Sequence, residues 1–364
     1  SQRMAGPGKA DRNGQPIGES RGPGSGHVAF FQYSFLRLWY IFSTMTQPGG
    51  TKMKQLGAAA YDEIRKWIYR NARPLDLALW QFEFEGGNRE TVMEILGLYQ
   101  NEDGGFANTL DPDNWSRESS PYTTMIAVSI LRTCGLTDKE HPIVQGIIRF
   151  LDSGVHCSED GWHFTVPSGD DPAQAPWAVY SEETNREQDM GLTAGLCAFV
   201  LRYGGSRSGL YARAAGYVDK ILKKVKTAED LGEMGAGGLG ILLWDIAESG
   251  LSARFDCSAI AGVMPDLINS RMERNPEKWA FYTPRPSEFI WSPESVFYKG
   301  NEEIVDTELD YLIDTRNPGG VWNITWTWFR QGEKYPKEFA VSENWWMANK
   351  AIEKLRFLKA FGRM

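Results

Sequence analysis

Disulfide chemistry has little to work with: four cysteines, Cys134, Cys157, Cys197 and Cys257, are spread through 364 residues with no CxxC pair. Neither a disulfide framework nor a zinc knuckle is indicated, and a reducing, cytoplasmic compartment is the expectation. Positive charge is also in deficit. A net charge of −8 and a pI near 5.3, with no basic stripe, exclude a nucleic-acid partner that would need cations along its phosphates. No apolar run reaches the roughly 20 residues that span a bilayer. The nearest, residues 28–42, has fifteen and is interrupted by Gln32, Ser34 and Arg37. It suits peripheral contact with a membrane surface or a poor secretory signal, and no small-residue cleavage site follows Phe42. Sustained strand alternation is missing as well. The glycine-rich stretch Gly235-Ala236-Gly237-Gly238 follows no strand and lacks the lysine of a phosphate loop.

Apolar residues make up 42% of the chain and aromatics 13%, enough for a sizeable core. Residues 1–26 are rich in Gly, Pro, Ser, Arg and Lys, a composition that cannot bury enough surface to order itself. Residues 1–52 therefore read as a disordered or non-native leader, with Met45 or Met53 near the true start. Residues 53–364 read as one domain. From Ala58 onward the periodicity is helical. Helices starting at Pro74, Pro121, Asp189, Gly237, Pro293 and Ser342 are apolar on nearly all sides, which suits burial on every face. Between them lie six amphipathic helices, near 58–72, 88–100, 141–153, 208–225, 258–273 and 303–315. Alternation of six inner and six outer helices predicts an all-α (α/α)6 toroid. The links from outer to inner helices are mostly long, so they gather at one mouth.

A repeat supports this architecture. Ile95-Leu96, Gln100 and Gly104-Gly105-Phe106 recur at the same spacing as Tyr311-Leu312, Arg316 and Gly320-Val321-Trp322, and Phe150-Leu151 with Asp160-Gly161-Trp162 is a degenerate third copy. With these turns, residues 58–364 resemble the terpenoid cyclase and protein prenyltransferase superfamily, whose toroids carry Gln-to-Gly-x-Trp turns locking outer helices to inner ones. Phe106 and Arg316 depart from that pattern. The resemblance implies a structural role for the repeat residues and an isoprenoid substrate.

Chemistry is expected at the mouth. Asp111-Pro112-Asp113-Asn114 resembles, with one substitution, the Asp-x-Asp-Asp motif of class II terpene cyclases. That resemblance implies Asp113 as the acid, with Asp111 and Asn114 in support. As residues alone, the four are also ordinary turn formers. Glu187 and Asp189 form a second acidic candidate, either as a helix cap or as one half of the paired carboxylates a glycosidase uses. Trp115, Trp177, Tyr180, Trp326 and Trp328 are the expected substrate-binding aromatics, able to face an isoprenoid, a carbocation or a sugar ring. No metal or other cofactor is expected. His156, Cys157 and His163 fit no standard zinc spacing, and Asp170-Asp171 lacks the last Asp of the DDxxD motif of ionising terpene synthases. Cys134-Gly135 does not continue into the Cys-Gly-Glu-Gln of complement-like thioester domains. Three readings stay open: a cyclase or prenyl-processing enzyme, a carbohydrate-active enzyme, and a binding module without chemistry. The substrate expectation is thus an isoprenoid or a saccharide.

Overall fold

The computed structural model describes residues 53–227, 231–232 and 234–364; the expected leader at 1–52 lies outside them. Among the described residues the protein is all-α, with twelve α-helices and no strand. None of these helices is long and apolar enough to cross a membrane.

The helices are α1 (Ala58–Asn71), α2 (Pro74–Phe84), α3 (Arg89–Gly97), α4 (Pro121–Thr133), α5 (Pro142–Asp152), α6 (Glu182–Tyr203), α7 (Gly209–Lys224), α8 (Gly235–Glu248), α9 (Ser258–Arg271), α10 (Glu302–Asp314), α11 (Phe329–Lys334) and α12 (Pro336–Ala360). Two contrasting types alternate. α4 buries nearly every side chain from Pro121 to Thr133, whereas α5 buries one stripe that includes Ile143, Ile147, Phe150 and Leu151. Each fully buried Leu, Ile or Phe contributes about 1.5–3 kcal/mol, so helices apolar on all sides are driven to the centre and striped ones to the periphery. The central helices touch closely. A Cβ on Gly238 of α8 would lie 1.9 Å from the Gly191 carbonyl oxygen of α6, and only glycine permits that approach. At their far ends Asp245 of α8 is fully buried and accepts hydrogen bonds from Arg132 of α4 and Arg202 of α6. α1 packs on α12, and the Leu56 amide donates to the Arg363 carbonyl at 2.8 Å.

The repeat turns act as latches. Gln100 Nε2 donates to the Gly104 carbonyl at 2.9 Å and to Ile143 O of α5 at 3.1 Å. Arg316 Nη1 donates to the Gly320 carbonyl and to Glu63 of α1. Gly104 and Gly320 sit at φ +93° and +92°, in the region that excludes most side chains. Inward, the Phe106 amide donates to Thr124 of α4, and the Trp162 amide, in the third copy, to Thr193 of α6.

Three expected helix starts differ. No helix forms at Pro293; residues 293–300 are linked instead by successive three-residue-back bonds from Ser295, Tyr298 and Asn301. α6 begins at Glu182, capped by Ser181, whose hydroxyl accepts from the Thr184 amide, so Asp189 lies inside the helix. α12 begins at Pro336, more than one and a half turns before Ser342.

Candidate active site

The long loops after α3, α5 and α10 converge on the turn at 111–114. Asp111 Oδ1 accepts from the Asp113 amide at 2.9 Å and Asn114 Oδ1 from the Ser116 amide, the local bonding that makes Asp and Asn turn residues. The strand-like segment at 173–175 pins the turn: Ala175 N donates to Asp113 O, and Trp115 N to Ala173 O. Just upstream, Asn108 and Thr109 have φ +57° and +64°, costly for a β-branched residue. Arg73, ion-paired to buried Asp76 at 2.7 Å, holds the Thr109 carbonyl.

Both carboxylates are buried, at 1% and 3% exposure. Asp113 Oδ1 accepts from the Trp328 indole N–H at 2.7 Å and Oδ2 from Trp326 at 3.2 Å. Trp346 presents its N–H toward the same carboxyl without completing a hydrogen bond. Asp111 Oδ2 has no partner. Burial pushes Asp111 up to about 6; burial and the neighbouring Asp111 push Asp113 up to about 8, against the three indoles, which favour its carboxylate. A proton is therefore retained on this pair at neutral pH. Trp115 stacks on Trp345 at 5.6 Å and donates to Ser342, which donates to the Pro112 carbonyl.

Of the expected site residues, Asp111, Asp113, Trp115, Trp326 and Trp328 meet in this one cluster. Trp177 joins it through the apolar group of Ala173, Ala175 and Trp328. Glu187 and Tyr180 face solvent. Asp189 accepts from the Phe164 amide at 2.8 Å and meets His163 Nδ1 at 3.2 Å, tethering the loop before α6; burial raises it to about 6. It is neither a helix cap nor a partner of Asp113.

A part-open cavity of about 840 Å³, counting its mouth, adjoins this cluster through Trp326. Aromatic walls come from Tyr282, Trp291, Trp326 and Phe357, and hydrogen-bonding groups from Thr283, Asn323 and Thr325. Asp111 and Asp113 do not line it. Its carboxyls are Glu288 and Glu353 and its cations Arg285, Lys350, Lys354 and Arg356. Burial drives Glu288 up to about 7, although Lys350 and Arg285 oppose that rise. Lys350 Nζ donates to Glu353 Oε2 at 2.8 Å. Behind the wall, buried Glu308 accepts from the amide and the hydroxyl of Ser287, both at 2.7 Å. Sequence reasoning missed this set. The available signal was charge at 350, 353 and 354 on a helix otherwise read as buried on every face. Among known protein families, curated proteins and solved structures, no match to the chain was found.

Proposed function

We propose that the chain is a carbohydrate-active enzyme on an (α/α)6-type toroid, with its glycoside held in the cavity beside Trp326. The toroid reading is supported by the alternation of buried and striped helices, by latches that reach to another striped helix, and by α1 lying on α12. Turns at 293–300 take the fifth inner position. The functional reading rests on one observation: Glu288, held near neutrality, shares a part-open, aromatic-walled cavity with a second carboxyl, Glu353. An acid ionising near the working pH is suited to protonating a leaving oxygen, and the pair supplies the two carboxyls of glycoside hydrolysis. Indole and phenol faces suit sugar C–H faces, and Asn323 and Thr325 offer bonds to hydroxyls. On this reading Glu288 is the acid and Glu353 the base or nucleophile, released from Lys350 when substrate binds.

Thermal shift with neutral oligosaccharides and with isoprenoid diphosphates tests the substrate class; a ligand at a hundred times its Kd adds about 2.7 kcal/mol. Glu288→Gln is expected to keep sugar binding and to lose about 10²- to 10⁴-fold in turnover. Unchanged turnover in that variant would remove Glu288 from the mechanism.

A second reading, an isoprenoid cyclase with Asp113 as acid, is favoured by the proton Asp113 retains at neutral pH. It ranks lower because the Trp326 and Trp328 indoles cover that carboxyl and because six charged residues line the adjoining cavity. Stabilisation by isoprenoid diphosphates alone, with product formation lost in Asp113→Asn, would reverse the ranking.

A further inference from the structure

We propose that the saccharide carries an anionic oxygen group, a carboxylate or a phosphate, seated against Lys354 at the α12 wall of the cavity. This rests on the glycoside reading above. The cavity wall carries four cations against two carboxyls, in a chain whose net charge is −8. The surplus comes down to one of them, Lys354. Lys350 is engaged by Glu353, and Arg285 donates to the Trp279 carbonyl and lies over the Tyr311 ring, 5.5 Å from its centre. Lys354 has neither a hydrogen bond nor an ion pair among the described residues; its Nζ sits 5.2 Å from the centre of the Trp322 ring. Arg356 is 8% exposed and ion-paired to Glu83, Nη2 to Oε1 at 3.2 Å, so it is not part of the surplus.

A half-buried lysine with no hydrogen bond or ion pair is an open position for an anion, and an oxyanion with several acceptors offsets the cost of keeping its charge there. The charge balance agrees. Burial, then Arg285 and Lys350, press Lys354 well below the usual lysine range, outweighing the opposing pull of Glu353 and Glu308. An arriving anion reverses that pressure, so binding should draw a proton onto Lys354.

The test is calorimetry on the full chain with four probes: a uronate oligosaccharide, its methyl ester, a sugar phosphate and inorganic phosphate. At least one acidic saccharide is expected to bind about tenfold or more tighter than the ester, with proton uptake read as a buffer-dependent heat. The uronate and the sugar phosphate distinguish the two anion sources. Lys354→Met should erase the preference and the proton uptake; Lys354→Arg, a conservative control should the Met variant fold poorly, should keep the preference without the uptake. Equal affinity for acid and ester, or a preference that survives Lys354→Met, overturns the proposal. If inorganic phosphate binds in a Lys354-dependent way and no saccharide binds, the anion subsite stands and the glycoside reading falls. If the ester binds and the acids bind no better, the glycoside reading stands and the anion subsite falls.

Discussion

A carboxyl that ionises later in the folded protein than in the unfolded chain makes folding take up a proton. Asp113 is raised to about 8 by burial and by Asp111, whereas an unfolded Asp ionises near 3.9. The native state thus holds the extra proton between those values, and its contribution to stability, complete below about pH 4, is lost as pH rises through about 8. Asp111, raised to about 6, adds to the same slope over its lower half. Asp113→Asn leaves one indole without an acceptor, at a cost of about 1–3 kcal/mol, but removes one titration. Urea denaturation should therefore show the wild type ahead at low pH and its lead shrinking as pH rises. A lead that stays constant would mean that Asp113 is ionised throughout. The tetrapeptide flagged Asp113 locally, but its indole partners lie 213 and 215 residues away. No periodicity encodes such a meeting, and the same holds for Glu288 and Lys354, which come from a short 3-10 turn and a distant helix.

Two helices with a proline at their first position were legible: α2 and α4 start at Pro74 and Pro121. The same signal at Pro293 led only to successive turns, and the Ser342 start was displaced because Pro336 begins the helix earlier. The turn repeat was readable as spacing, and the structure gives it a mechanism. Gln100 and Arg316 both donate to the carbonyl four residues on, so Arg for Gln preserves the latch. The two copies differ in tolerance. A Cβ at Gly104 would lie 2.1 Å from the Gly146 carbonyl oxygen of α5, whereas at Gly320 the nearest atom is Glu63 Cβ at 3.2 Å. Gly320→Ala should cost about 1–2 kcal/mol from backbone conformation alone, and Gly104→Ala about 3 kcal/mol or more once the clash is added. Equal losses in chemical denaturation would show that the α5 contact yields.

Across the whole molecule, the alternation of buried and striped helices made the all-α class readable from sequence. The closing contacts were not, because they join residues far apart in sequence: Leu56 to the Arg363 carbonyl across about 300 residues, and Arg363 to Asp310 and Asp306, 53 and 57 residues away, each at 2.9 Å. The candidate site lies where loops meet, while the centre is held by helices in backbone contact. That contact between Gly191 and Gly238 has a consequence in time. With no side chain between the backbones at Gly191 and Gly238 to rotate aside, α6 and α8 cannot loosen there in small steps, and the amides around that contact should reach solvent only when the two helices separate as a unit. Native-state hydrogen exchange should find the middle of α6 and α8 the slowest region, at the global unfolding free energy, and the 323–328 loop far faster. The cavity wall would then open and close many times within one lifetime of the helical seam behind it.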